Sequence, residues 1–180
     1  MHRLFVGLSL PEIVSDGLSV LQSGIDGARW RPVENFHITL AFLGETDTRG
    51  FENAIDALSQ IEPPVFELSL SGIGYFGDQD PRAVWARVEA SEALSHLQAK
   101  TAQSLRKFGF QLESRKFIPH VTLAYLKGIS QPQVEKYCSQ HALFKMGPFP
   151  VESFHLYSSK LGGEVSHYEI EASYSLSFSR

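Results

Sequence analysis

Apolar positions along the chain follow two periods, one of a strand and one of a helix, and the two alternate. Residues 4–10 form a mainly apolar run, interrupted at Ser9, that reads as a first strand. Behind Pro11, which suits a first helical turn, Ile13, Val14, Leu18, Leu21 and Ile25 recur at helical spacing. Residues 37–43 alternate as a strand, Phe51, Ile55 and Leu58 return to helical spacing, and residues 65–70 form another strand. A second series follows. It comprises a strand-like run from Ala83, a helix carrying Leu94, Leu97, Thr101, Leu105 and Phe108 with Gly109 as its stop, and a strand over 120–126. Ser130 and Gln133, with Pro132 between them, predict a capping box for a last helix. Leu161-Gly162-Gly163-Glu164 predicts a turn between strands near 151–159 and 167–178.

The alternation is also a duplication. His37-Ile38-Thr39-Leu40-Ala41-Phe42-Leu43 matches His120-Val121-Thr122-Leu123-Ala124-Tyr125-Leu126 position by position, 83 residues on. The same offset carries Phe66 onto Phe149, which opens an apolar run through Val151, Phe154 and Leu156, while Phe5-Val6-Gly7-Leu8 falls less well on residues 88–91. The expectation is an α+β fold with two sheet-bearing lobes, formed by one domain over 1–180 with repeats at roughly 3–76 and 83–160 and a C-terminal strand.

If each His-x-Thr segment is a strand, residues two apart share a face, about 6.5 Å from one another. Strict alternation puts His37, Thr39 and Ala41 on the front of the first strand, and Ile38, Leu40 and Phe42 on its back. It likewise puts His120, Thr122 and Ala124 forward and Val121, Leu123 and Tyr125 back, although a bulge or strand end would turn Tyr125 forward. An approximate two-fold axis would bring the two fronts together across a cleft, with two imidazoles and two hydroxyls facing one ligand. Hydrolysis of a cyclic phosphodiester needs a base for water and an acid for the departing oxygen, and histidine can serve as either near neutral pH. Threonine hydroxyls can hold the non-bridging oxygens. This chemistry requires no cofactor, metal or covalent intermediate.

Composition narrows the partners. Hydrophobic residues at 43% and charged residues at 20% match an ordinary soluble globular chain, with no stretch apolar enough to span a bilayer. The run over 4–10 is too short for a signal-peptide core, and Pro11 and Glu12 end it. Cys138 is the only cysteine, which suits a reducing cytoplasm and precludes both an internal disulfide and a multi-cysteine zinc site. A formal charge of −4, without like-charged blocks, argues against sequence-independent binding of long nucleic acid but leaves a terminal or small phosphate open. The remaining histidines, His2, His96, His141, His155 and His167, show no compact metal-ligand spacing. Gly72, Gly74 and Gly77, near Asp78-Gln79-Asp80-Pro81, read as part of a strand-to-strand loop, not a nucleotide cradle. Tyr75, Phe76 and Trp30 are candidates for stacking on a base, although core or surface packing is the commoner fate of such rings.

Several segments together resemble the 2H phosphoesterase superfamily, and within it the RNA 2′,3′-cyclic phosphodiesterase branch once described as 2′-5′ RNA ligases. They are both His-x-Thr-Leu tetrads, Arg31-Pro32-Val33-Glu34-Asn35-Phe36 before the first, Leu43-Gly44-Glu45 after it, and Phe117-Ile118-Pro119 before the second. Ala83-Val84-Trp85-Ala86 and Leu156-Tyr157-Ser158-Ser159-Lys160-Leu161 add to the likeness. The resemblance implies a bilobal, pseudo-two-fold fold of two antiparallel sheets around a central cleft. It implies opening of a terminal cyclic phosphate, on RNA or a small nucleotide, to a 2′-phosphate, with His37 as proton donor and His120 as proton acceptor. No membrane or protein partner follows from it. Cleavage or ligation of 2′-5′ linkages at the same site, or RNA-end binding without catalysis, are the competing functions. One departure stands out. Members of this branch carry a phosphate-binding arginine where this chain has Tyr125, and Arg31 or Arg115 is positioned in sequence to supply the charge instead.

Overall fold

The computed structural model describes residues 1–178. In chain order its elements are β1 (His2–Ser9), α1 (Glu12–Ser19), β2 (Arg29–Trp30), β3 (His37–Thr46), α2 (Thr48–Ser59), β4 (Phe66–Phe76), β5 (Ala83–Val88), α3 (Glu92–Lys107), β6 (His120–Tyr125), α4 (Gln131–Gln140), β7 (Lys145–Val151), β8 (Ser153–Gly162) and β9 (Val165–Ser175). The strands form two antiparallel sheets, one ordered β3-β1-β8-β9 and the other β2-β6-β5-β4-β7. The α+β class with two sheets is therefore the one the alternating periods indicate.

Register relates the two sheets. In the first, Ser9 pairs with His37 and Gly7 with Thr39; in the second, Arg87 pairs with His120 and Trp85 with Thr122. Gly7 is thus the counterpart of Trp85, and Phe5 that of Ala83, so the match of Phe5 to residue 88 made by the constant offset is wrong. Fewer residues separate the two central strands than separate the two His-x-Thr strands, because the loops between them differ in length. The run from Phe149 is corrected as well. It is two strands, with β7 pairing with β4 (Phe66 opposite Val151) and β8 crossing at Glu152 to pair with β1 in the other sheet. Each central strand, β1 or β5, is flanked by its own His-x-Thr strand and by a strand from the other half of the chain, β8 or β4.

Helices are exchanged in the same manner. α3 follows β5 in sequence but packs against α2 and β3, with the Ser104 hydroxyl donating to the Ala57 carbonyl at 2.7 Å. α1 follows β1 but reaches the second sheet through β7, and the Tyr137 hydroxyl of α4 donates to the Leu21 carbonyl just beyond it. One contiguous core results, from Leu4, Val6, Ile38 and Leu156 on one sheet to Val84, Val121, Leu123 and Phe149 on the other.

Local chemistry explains the helix ends, with two departures from expectation. Asp47 caps α2 by accepting from Gly50 N at 2.8 Å, Ser91 caps α3 by accepting from Leu94 N at 3.1 Å, and Gly109, at φ +94°, turns the chain after α3. Ser130 precedes α4 but makes no side-chain cap; Gln131 instead bonds Glu135 and the Tyr75 hydroxyl, so the capping box is absent. α1 is only two turns long, which buries Val14 and Leu18 but leaves Ile13 off their stripe and 77% exposed. Leu21 and Ile25 reach the core from turns beyond it. The terminal hairpin continues to Gly162 opposite Val165 before turning, and so is longer than the sequence pattern indicates. Among the described residues no helix is long and apolar enough to cross a membrane.

Candidate active site

Each His-x-Thr strand carries a β-bulge at its middle leucine. Val6 pairs with Ala41 and Gly7 with Thr39, leaving Leu40 unmatched; Val84 pairs with Ala124 and Trp85 with Thr122, leaving Leu123 unmatched. An extra residue in one strand reverses the alternation beyond it. Leu40 and Ala41 are accordingly both buried, as are Leu123 and Ala124, while Phe42 turns forward at 68% exposure and Tyr125 at 39%. The strict alternation drawn from the sequence fails at these two aromatics and two alanines. Side-chain amides from the exchanged helical segments support the bulges: Gln98 Nε2 donates to the Leu40 carbonyl at 3.4 Å, and Gln22 Nε2 to the Leu123 carbonyl at 3.2 Å.

The histidines before the bulges are held alike. His37 Nδ1 lies 2.7 Å from the Asn35 carbonyl, and His120 Nδ1 lies 2.7 Å from the Ile118 carbonyl. A carbonyl oxygen only accepts, so each Nδ1 carries hydrogen and each Nε2 is left for chemistry. Asn35 is itself anchored, its Nδ2 donating to the Ser166 carbonyl of β9 at 2.8 Å. Aromatic rings fix both imidazoles from the side. Phe5 lies 4.8 Å from His37 and Tyr168 meets it edge-on at 5.3 Å, while Phe76 meets His120 edge-on at 5.0 Å and Trp85 lies 5.7 Å away.

The two sites differ at Nε2. His37 Nε2 is 2.9 Å from the Thr39 hydroxyl, whereas among the described residues Thr122 makes no hydrogen bond to His120. Burial is the main cause that lowers the His37 pKa to about 4, with the His120 and Arg31 charges adding to it against the opposing Asn35 hydrogen bond. Burial also lowers the pKa of His120, against its bond to Ile118. β3 and β6, the strands that carry the two histidines, also contact one another between the two sheets.

Arg31 follows β2, its N–H donating to the Leu123 carbonyl at 2.8 Å and its own carbonyl accepting from Gln22 at 2.7 Å. Its guanidinium lies over the Tyr125 ring, 5.0 Å from the centroid. Arg115, the other candidate, is exposed and paired with Glu113 at 2.7 Å in the segment before β6. Phe76 is taken up by His120 and Trp85, Trp30 packs on the opposite face against Tyr137 at 5.9 Å, and the Tyr75 hydroxyl donates to Glu135. Gly72 and Gly74 lie inside β4, and the loop proper begins at Gly77. Sequence reasoning did not single out Phe5, Phe42, Asn35, Tyr168 or Tyr157, whose ring stacks on Phe5 at 4.9 Å beside His37. Asn35 and Tyr157 stood inside the resembling segments, but no pattern marked Tyr168, because β9 reaches His37 only through sheet pairing.

Residues 23–163 match the family model of the 2′-5′ RNA ligase superfamily. A protein of Thermotoga maritima named RNA 2′,3′-cyclic phosphodiesterase is 31% identical over 166 residues, covering 88% of this chain and 87% of its own. One of the same name from Aeropyrum pernix is 34% identical over 131 residues, covering 71% and 74%. Among solved structures, TT0787 of Thermus thermophilus superposes with a TM-score of 0.81 at 26% identity, over 99% of this chain and 100% of that one. Escherichia coli LigT complexed with 3′-AMP superposes with a TM-score of 0.78 at 24% identity, over 97% and 98%, which is a likeness of fold. With its family model matched over most of its length and its strands and helices laid out as in those structures, this chain belongs to the 2′-5′ RNA ligase superfamily.

Proposed function

We propose that the protein hydrolyses 2′,3′-cyclic phosphodiesters at RNA or nucleotide ends to 2′-phosphates, by paired acid and base catalysis from His37 and His120. The relatives' shared name supports the reaction class. The observation that supports the residue roles is the matched pinning of both Nδ1 atoms, which leaves each Nε2 available for chemistry, on two strands, β3 and β6, that contact one another between the sheets. In this reading, water attacks phosphorus opposite the O3′ bond and His120 Nε2 takes its proton. The P–O3′ bond breaks, His37 Nε2 protonates O3′, and the phosphate remains on O2′. The open lone pair of His120 favours its role as acceptor, and Thr39 orients the His37 ring. Thr122 and Thr39 bond the non-bridging oxygens, and Arg31 supplies the cation that the family pattern places at position 125.

His37 must be charged to act as donor, yet its pKa in the free protein is about 4. The anionic phosphate provides the compensation, since a negative charge beside an imidazole raises its pKa. Both repeats, 3–76 and 83–160, contribute one histidine and one threonine to a single site, which supports treating them as one functional unit. The lone Cys138 fits a reducing cytoplasm.

The test is incubation of the purified protein with 2′,3′-cyclic AMP and with a 2′-5′ linked dinucleotide, each in the presence of EDTA. Release of 2′-AMP that survives chelation supports the proposal. Turnover of the dinucleotide alone, or binding without turnover, overturns it.

A further inference from the structure

Arg29, Arg31 and Tyr125 share one face of the second sheet. Arg29 is the direct cross-strand partner of Tyr125, so both side chains leave the sheet on the same side, and Arg31, two residues on, covers the same ring. That side is the cleft side, because the bulge at Leu123 turns Tyr125 toward it. Across the cleft, Arg3 lies two residues before Phe5 on β1 and on the same face as Phe5, which packs beside His37. The Tyr125 phenol senses all three guanidiniums, which lower its pKa against a larger rise from burial and from Tyr168. Among the described residues none of the three arginines forms an ion pair; Arg3 has Glu45 as its cross-strand neighbour, but the two are not in salt-bridge contact. Arg29 and Arg31 beside one ring without carboxylate partners, with Arg3 adding its charge from β1, give this face a local positive field that favours an anion on a chain of net charge −4.

The line runs outward from the histidines. Arg31 is close enough to act on His37, and Arg29 lies about 6.5 Å further along the strand, near the spacing between successive phosphates of a nucleic-acid strand. Phe42, the two-fold counterpart of Tyr125, adds an exposed ring 6.1 Å from Phe5 on the facing lobe. A cyclic mononucleotide has one phosphate and would leave this outer part unused.

We infer that Arg29, with Arg3 opposite it and Tyr125 between, is a subsite for the phosphodiester immediately upstream of the reacting nucleotide, so that the preferred ligand is an RNA end and not a free cyclic nucleotide. The inference rests on the cyclic phosphodiesterase reading for its register, but binding measurements test it apart from turnover. Wild-type protein and the Arg29→Gln and Arg29→Lys variants would be titrated at low salt with a mononucleotide and with a trinucleotide, each ending in a 2′-phosphate. Wild type should bind the trinucleotide at least about tenfold more tightly than the mononucleotide. Arg29→Gln should remove most of that difference while leaving mononucleotide affinity within about twofold, and should flatten the salt dependence of trinucleotide binding by about 0.7 in log-log slope. Arg29→Lys should restore the slope, because a solvated phosphate contact needs mainly charge. Equal wild-type affinity for the two lengths overturns the subsite. So does an Arg29→Gln loss shared equally by both, which would put Arg29 on the reacting phosphate. Failure to cleave any cyclic substrate would instead strike the proposed function, with the ratio of affinities still deciding the subsite.

Discussion

At the scale of single residues, the two imidazoles have the same tether but different Nε2 environments, and in the proposed mechanism that difference gives the reaction a direction. Replacing either His37 or His120 with alanine should lower turnover by about 10²- to 10⁴-fold, the usual contribution of a positioned acid or base, with the folded state retained in circular dichroism. A variant at near wild-type rate would remove that residue from the mechanism. The pH dependence follows from the lowered pKa values. In the proposed mechanism the free protein is productive with one imidazole charged and the other neutral, so kcat/KM should be bell-shaped, with both limbs below the ordinary histidine value of about 6.5 and one of them near the His37 value of about 4. Bound phosphate favours the charged imidazole, so the kcat profile should lie at higher pH. Profiles of kcat and kcat/KM that coincide, or that stay flat from about pH 4 to 7, would contradict paired histidine catalysis.

Among elements, the paired bulges and the central strands determine what faces the cleft. The lobes solve the packing beneath the histidines differently. Gly7 lies opposite Thr39, where an added Cβ would approach the Ile38 carbonyl to 2.9 Å and the His37 ring to 3.6 Å. Its counterpart Trp85 is large, and space for it is made by Gly74 on β4, where a Cβ would come within 2.5 Å of the indole. Gly7→Ala should therefore push β1 from β3 beside the His37 ring, costing about 1–3 kcal/mol as overpacked sites do. Thermal denaturation should show the loss, and kcat should fall more than KM rises, since the imidazole is displaced and the outer contacts are kept. A Gly7→Ala protein with unchanged melting temperature and kcat would show that the two strands accept the wider spacing.

The whole molecule ties its two sheets together by exchange, since α3 packs on the sheet of β3, α1 reaches the sheet of β7, and β8 and β4 each complete the opposite lobe. The shared helices and strands couple the two sheets that carry the histidines. Burial of those histidines has a cost that depends on pH. Folded His37 resists protonation down to about pH 4, while in the unfolded chain it takes a proton near 6.5, so the unfolded state binds more protons between these values. Stability is complete above about pH 6.5 and is lost as pH falls toward 4, and the lowered pKa values of His120 and His155 act in the same direction. The melting temperature should accordingly fall more steeply from pH 7 to 4.5 in wild type than in His37→Gln, where that proton uptake is removed. Parallel slopes in the two proteins would show that His37 is solvated in the folded state.

The sequence by itself determined the α+β class, the two His-x-Thr strands, the facing of His37, Thr39, His120 and Thr122, and most helix positions. These depend on period, capping residues and the identity of a few polar side chains, all of which act over neighbouring positions. Facing beyond the histidine pairs was misjudged because a bulge at Leu40 or Leu123 is defined by the partner strand, and the alternation of one strand carries no trace of it. The position of Arg31 over the Tyr125 ring, the pairing of Arg115 with Glu113, the approach of Tyr168 to His37, and the exchange of helices and strands were likewise decided by tertiary structure alone. Each joins groups far apart in the chain, and only pairing and packing can bring such groups into contact.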